Sequence, residues 1–369
     1  MAVRTNGSYR RNSAITLMQR VGILGGGQLA MMLAQAAKKL GLTTTVLAPD
    51  ADCPAATYTD TFIQAEYEDI VAMESFAANC DVITFEFENV PVSNLFALQE
   101  SGHCIFPDPK ILDVLQDRLT EKKFLRAHNI PLAAFARIDK ASDFPKAISI
   151  TALPCILKTR HFGYDGKGQS WIKHESQTTK AFDLIHHHPA VLEAAIDFER
   201  EVSVIAARNN QGEFVAFPVT ENLHEGGILR RSHIPANCSQ DISKRAIAIT
   251  RDIASCLNYV GVLAVEFFIQ RNGQLLVNEI APRVHNSGHW TKGGATPDQF
   301  EMHLIAITGM DMPKPDCVSE ITMINLIGKD MAEAQKWTDE GWLVTDYGKG
   351  KMVDGRKMGH ATKRKTSSR

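Results

Sequence analysis

The seven cysteines of the chain include no Cys-x-x-Cys pair, and their number is odd. Neither a disulfide framework nor a zinc site fits that distribution; reduced thiols in a cytoplasmic protein do. Cys155, inside Pro154-Cys-Ile-Leu157, has the setting of a small buried hydrophobe. No apolar run approaches the ~18–20 residues of a membrane span, so no membrane partner is expected. Charge of one sign is also missing. A net charge of −2 supplies no basic field for a nucleic-acid polymer, and an anionic ligand needs local cations. No internal repeat is evident.

What is present is ordinary for a soluble globular protein, with 44% hydrophobic and 22% charged residues. The 369 residues exceed one simple core and suggest two or three domains. The first 17 residues carry Arg4, Arg10 and Arg11 and no acid. They read as a transit peptide or, preferably, as an extension upstream of a start at Met18. A flexible extension is therefore expected over 1–19.

From Val21 the chain alternates strands with helices. An apolar strand ends at Leu24, Gly25-Gly-Gly27 turns it, and Leu29, Met32, Leu33, Ala36 and Leu40 recur at helical spacing up to Gly41. Strands are expected at 44–48 and 81–85, with a helix at 70–78. This is a doubly wound, Rossmann-like α/β domain over 20–116. Strand-like runs then crowd together at 155–159, 190–193, 201–207, 214–219 and 262–269, an antiparallel α+β pattern over 117–312. A small β-rich C-terminal domain follows over 313–369.

Gly25-x-Gly27-x-x-Ala30, with Asp50 after the second strand, matches a dinucleotide fingerprint. It supports an NAD-dependent oxidoreductase, or merely a turn that lets a helix pack. The segment 266–279 says more. Asn272-Gly273 signals a two-residue type I′ hairpin turn, which pairs Arg271 with Gln274 and Glu266 with Glu279. Two opposed carboxylates ~4.5–5.5 Å apart between Cβ atoms need compensation. A shared proton or a neighbouring arginine would serve, but a hard divalent cation such as Mg²⁺ serves best. Lys158 precedes the glycine-rich Gly163-Tyr-Asp-Gly-Lys-Gly-Gln169, whose amides can cover phosphates although it lacks a P-loop ending. Arg283, His285, Asn286 and Ser287 follow Glu279 and suit an anion or a developing oxyanion. His224 lies in another basic segment, and Lys349, Arg356 and Lys357 form a last basic cluster.

Together these features resemble the ATP-grasp superfamily. Within it, the Gly163–Gln169 loop, Asn222-Leu-His224 with Gly227-Ile-Leu-Arg230, Asn278-Glu-Ile-Ala-Pro-Arg-Val-His-Asn-Ser-Gly-His-Trp290 and Gly355-Arg-Lys-Met-Gly-His360 resemble the N5-carboxyaminoimidazole ribonucleotide synthetases. The likeness runs from about residue 20 to 360. It implies a central ATP-grasp domain and the carboxylation of 5-aminoimidazole ribonucleotide by ATP and bicarbonate, through carboxyphosphate, in purine synthesis. It implies ATP and Mg²⁺, and a homodimer.

By the same resemblance, Arg118 and Lys158 contact ATP, and Gly163, Tyr164, Asp165, Gly166, Lys167, Gly168 and Gln169 close over its phosphates. Glu193, Ala194, Ala195 and Ile196 form the adenine hinge, Glu201 takes the ribose hydroxyls, and His224 lies near the phosphates. Glu266 and Glu279 hold the metal beside Asn278. Arg283 holds bicarbonate or carboxyphosphate and, with Lys158, His285 and Asn286, makes the catalytic set. Gln28, Glu86, Glu88, Tyr164, Asp165, Lys167, His285, Asn286 and Ser287 approach the aminoimidazole nucleotide. Lys349, Arg356 and Lys357 bind its 5′-phosphate.

Two departures stand out. Val353-Asp-Gly-Arg-Lys357 replaces the family's Arg-Pro-Gly-Arg-Lys, and a polar tail over 361–369 replaces a further helix and strand. A formate-using transformylase would share the metal pair without the Val284-His-Asn-Ser-Gly-His289 wording. A non-catalytic homologue would keep the fold alone.

Overall fold

The apolar run after Arg20 forms the strand Arg20–Leu24, flanked in parallel by Thr43–Ala48 and Val82–Phe85, with Thr61–Gln64 at the edge. The structure, a computed structural model, describes residues 18–161, 163 and 168–365. Alternation along the central strand explains the double winding. Val21 and Ile23 pack with helix Gln28–Leu40 on one face. Leu24, Ile83 and Phe85 pack against Met73, Phe76 and Leu95 on the other. Parallel strands covered on both faces read as continuous apolar runs, as residues 21–24 and Val82–Phe85 do.

Two antiparallel sheets that build the site follow, apart from a two-stranded pairing of Ala295–Thr296 with Asp316–Cys317. The smaller runs Phe135–Ile138, Ala190–Ala194, Cys155–Thr159, Gln169–Ile172. The larger has nine strands and starts at the hairpin edge with Leu275–Ala281, Gly261–Gln270 and Phe198–Arg208. Thr220–Glu225 and Ile228–Ile234 continue it. The C-terminal strands do not make a sheet of their own. Ile321–Ile327 pairs with Ile228–Ile234, and Lys357–Arg364 and Leu343–Asp346 extend the same ladder. The open edge of the central sheet thereby gains a partner.

Helix Gln299–Thr308 is buried along its whole length and packs against helix Gln28–Leu40 and strand Gly261–Gln270. Its His303 joins the N-terminal and large sheets. Nδ1 accepts from the Val262 amide (3.0 Å), so Nε2 carries the proton and donates to Thr84 Oγ1 (2.8 Å). The smaller sheet faces the hairpin edge of the larger one, and the cleft between them holds the candidate site.

Candidate active site

The hairpin brings Glu266 opposite Glu279, but through a different path from the expected one. The turn has three residues, Arg271, Asn272 and Gly273, because Gln270 pairs with Gln274 through its amide (2.9 Å). Gly273, at φ +78°, takes the left-handed position of such a loop. That shifts the register by one, so Ile269 faces Leu275 and Phe267 faces Val277. A β-bulge at Asn278 then restores the pairing at the glutamates. Bulges bend a strand and re-aim its side chains. Here the bulge turns Asn278 and Glu279 into the cleft.

The strand Leu275–Ala281 is also a sheet edge, so its outward backbone groups need partners. Helix Arg118–Ala127 supplies them. The amide of Ile280 donates to Glu121 Oε1 (2.8 Å), and Lys122 Nζ donates to the Asn278 carbonyl (3.5 Å). One turn back, Arg118 meets Glu279 Oε2 (3.4 Å). Arg118, Glu121 and Lys122 lie at i, i+3 and i+4, one face of a helix. Lys122 also reaches Glu193 Oε2 (3.3 Å), which Lys158 approaches at 3.0 Å.

Burial alone would raise the Glu193 carboxyl, but Lys122, Lys158 and Arg118 overcome it and hold it at about 2. Glu193 therefore contributes stability above its ordinary value of 4.5, lost as pH falls toward 2. Lys122→Met should raise the pH of acid unfolding and cost about 3 kcal/mol at neutral pH. Urea melts across pH 2–7 check this, and an unchanged acid midpoint would refute the Lys122–Glu193 coupling.

The glutamate pair keeps its conflict. Burial and the Glu279 charge push the Glu266 carboxyl above the ordinary range. Burial also opposes ionisation of Glu279, but Arg118 and Lys158 hold it low. Among the described residues no cluster of three or more His, Cys, Asp or Glu could hold a metal ion. Two glutamates alone fit a hard cation whose remaining ligands are water and substrate phosphate, the usual habit of Mg²⁺.

Beyond the hairpin, Arg283 Nε lies 2.7 Å from Glu88 Oε1. Gln299 clamps the backbone of His285, accepting from its N–H and donating to its C=O, both at 2.9 Å. Ser287 is fully buried and does not reach the cleft; its hydroxyl lies 2.9 Å from His285 Nδ1 and 2.7 Å from Ser203 Oγ. Burial and the neighbouring Arg283 hold His285 down to about 3, so its imidazole is neutral. Both side-chain polar atoms of Asn286 are buried without a protein partner, although the residue lines the cleft. Such atoms need a ligand or water. His224 pairs with Glu201; burial disfavours its cation, but Glu201 and Glu266 outweigh that and raise its pKa.

The cleft is about 750 Å³. It gathers Gln28, Glu86, Glu88, Arg118, Lys158, Gly163, Gly168, Gln169, Glu193, Ala194, Ile196, Glu201, His224, Glu266, Asn278, Glu279, Arg283, His285, Asn286 and Lys357. Ala195, half-buried, does not line the cleft, and its amide donates to the Pro154 carbonyl (3.1 Å). Lys349 and Arg356 also stand off the cleft, and Lys349 Nζ donates to the Lys357 carbonyl (3.0 Å). Tyr164, Asp165, Gly166 and Lys167 lie outside the described residues. Glu121, Lys122 and the apolar wall Ile156, Phe268 and Val277 escaped the sequence reading. Helical spacing from Arg118 was the signal for the two charged ones.

The dinucleotide alternative fails on geometry. A pyrophosphate would need the free amides at the start of helix Gln28–Leu40. Glu86 occupies them, its carboxylate accepting from the Gly27 and Ala30 amides. A Cβ on Gly27 would come 2.6 Å from that carboxylate, so the glycine admits the protein's own acid. Asp50 stays on the surface.

Two antiparallel sheets closing on a cleft lined with cations and carboxylates define an ATP-grasp ligase. Residues 123–300 match the ATP-grasp domain. Residues 18–116 match the ribonucleotide synthetase preATP-grasp domain and 322–369 the phosphoribosylaminoimidazole carboxylase C-terminal domain. The chain belongs to the N5-carboxyaminoimidazole ribonucleotide synthase family. It is 44% identical to the synthase of Brucella melitensis biotype 1 over 346 residues, covering 93% of this chain and 95% of that protein. The Staphylococcus aureus synthetase complexed with ADP superposes with a TM-score of 0.91 at 38% identity, covering 96% and 95% of the two chains. The Aspergillus clavatus synthase, in complex with ADP and 5-aminoimidazole ribonucleotide, gives 0.88 at 28% identity and covers 94% of each.

Proposed function

We propose that this chain carboxylates 5-aminoimidazole ribonucleotide with bicarbonate and ATP, yielding N5-carboxyaminoimidazole ribonucleotide, ADP and phosphate in purine biosynthesis. The opposed Glu266–Glu279 pair on the floor of a cation-lined cleft carries the reading. Mg²⁺ held by these glutamates and by ATP would neutralise charge on the transferring phosphoryl group. Lys158 and Arg118 line the phosphate path, with the 163–169 loop as its cover. Ile156, Phe268 and Val277 offer the adenine its apolar walls beside the Glu193–Ile196 hinge. The Ala195 amide is already engaged, so pairing with the base falls to other groups of that hinge. Glu201 accepts from the ribose.

A bicarbonate oxygen attacks the γ-phosphorus, and the bond to ADP breaks. The exocyclic amine then forms an N–C bond to the activated carbon, and phosphate and a proton leave. This chemistry asks for alignment and charge neutralisation and no protein nucleophile. Arg283, oriented by Glu88, is placed to hold bicarbonate and then carboxyphosphate. Neutral His285 and the unpartnered Asn286 amide face the aminoimidazole, with Gln28, Glu86 and Glu88 across the cleft. Lys357 addresses the 5′-phosphate, and Lys349 supports it through the Lys357 carbonyl.

A homodimer in the cytoplasm, and domain limits near residues 116 and 312, belong to the same proposal. Support for these comes from the family resemblance and, for the limits, from the matched spans. Among the described residues no helix is long and apolar enough to cross a membrane. A phosphate-release assay tests the function: release should require bicarbonate and rise on adding 5-aminoimidazole ribonucleotide. Release indifferent to both would overturn it.

A further inference from the structure

Outside the cleft, the fold buries a polar cluster that none of the chemistry above uses. Tyr347, fully buried, places its hydroxyl 3.0 Å from His289 Nδ1 and 2.9 Å from His360 Nδ1. A phenol has one proton, so it donates to one ring and accepts from the other, and the two histidines are opposite tautomers. Burial holds both imidazoles far below their ordinary values, His360 down to about 3, so the cluster is uncharged at neutral pH. The Nε2 atoms of both rings are buried and have no protein partner. Unsatisfied polar atoms cost stability, and apolar packing at the same place would avoid that cost. A polar cluster there gains direction, because hydrogen bonds fix geometry where apolar contacts slide.

The three members come from three segments that matter to one half of the cleft. His289 ends the short turn that begins with Asn286. Tyr347 follows strand Leu343–Asp346, and its ring lies 5.4 Å from the Lys349 ammonium. His360 sits in strand Lys357–Arg364, three residues beyond Lys357. Gly359 permits the close approach of these strands, since a Cβ there would stand 2.5 Å from the Thr345 carbonyl oxygen.

We propose that Tyr347, held between His289 and His360, is a positioning residue: it fixes the Asn286 turn against the strand that bears Lys357. It thereby sets the span of the half-site for the phosphorylated aminoimidazole nucleotide. This inference rests on the function proposed above. Tyr347 is fully buried and does not line the cleft.

Tyr347→Phe keeps the ring under Lys349 and removes only the two hydrogen bonds. Titration calorimetry on the full chain should show the dissociation constant for 5-aminoimidazole ribonucleotide, with ADP present, rising about tenfold or more. That for ADP should stay within twofold, and the KM values for the two nucleotides should split likewise. A second pair keeps the test open if Tyr347→Phe folds poorly. His360→Asn, whose amide can take the place of Nδ1, should bind near the wild-type level, whereas His360→Leu should not. Unchanged aminoimidazole nucleotide affinity in Tyr347→Phe, or equal losses for both ligands, overturns the inference. Failure of the wild-type chain to bind 5-aminoimidazole ribonucleotide would instead overturn the proposed substrate.

Discussion

Glu279→Gln should lower turnover by at least ~10²-fold, since groups one step behind a metal ligand already cost 10–100-fold. The substitution is nearly isosteric, so the loss is one of charge. Glu279 meets Arg118 at 3.4 Å and faces Glu266 across the hairpin. Replacing it weakens an attraction and removes a repulsion, and Glu266, no longer facing a second anion, ionises more readily. Folding stability should consequently change by no more than about 1 kcal/mol, a small net of opposed terms. A readout apart from turnover comes from nucleotide binding. Added Mg²⁺ should tighten ADP binding to the wild-type chain and have little effect on Glu279→Gln. Full turnover, or an undiminished Mg²⁺ effect, would remove Glu279 from the metal site.

The pairing behind that prediction was legible in the sequence, though by compensating errors. A two-residue turn with a regular ladder and a three-residue turn with a bulge both bring Glu266 to Glu279. Asn272-Gly273 fits either turn, because the glycine serves the left-handed position in each. Nothing in the residue pattern marks Asn278 as the bulge. The bulge depends on partners 156 and 159 positions away in sequence, Lys122 for the Asn278 carbonyl and Glu121 for the Ile280 amide. Long-range backbone satisfaction of this kind leaves no local trace.

The glycine turn at Gly25 shows the reverse case. Its local chemistry is that of an anion site, and the structure does put a carboxylate there. That carboxylate belongs to Glu86. The fingerprint identified the physical environment and could not say whose anion fills it. Ser287 reads with its neighbours because Arg283, His285, Asn286 and Ser287 follow Glu279 as one run of cationic and donor groups. A 3-10 turn over Asn286–Gly288 rotates its hydroxyl inward, toward Ser203 and His285. The centre of the parallel N-terminal sheet was readable because Arg20–Leu24 and Val82–Phe85 are buried on both faces, whereas the half-exposed edge strand Thr61–Gln64 carries no such apolar run. The continuity of the C-terminal strands with the central sheet was not, because pairing between Arg231 and Ile324 spans two domains.

Arg283→Lys should leave the KM for ATP within about twofold and reduce bicarbonate-dependent phosphate release by roughly 10²–10³-fold, the usual effect of removing a donor aimed at developing charge. Charge is conserved in this change, so the expected loss comes from shape. A guanidinium can pair with one carboxylate and still present a rigid fork to a second anion, whereas an ammonium is a single point on a flexible stem. In this cleft Glu88 takes Nε at 2.7 Å, and Nη1 donates to the Val284 carbonyl at 3.0 Å. The ion pair and the one hydrogen bond hold the guanidinium beside Glu88 and leave further N–H donors for an anion in the cleft. Lysine can satisfy Glu88 or a bound bicarbonate, but its reach does not hold both in register. Raising the bicarbonate concentration should recover little of the lost rate if Arg283 acts on the carboxyphosphate being formed. It should recover most of it if Arg283 merely binds bicarbonate, as expected for uniform binding. A variant that releases phosphate at the wild-type rate at every bicarbonate concentration would separate Arg283 from the chemistry altogether.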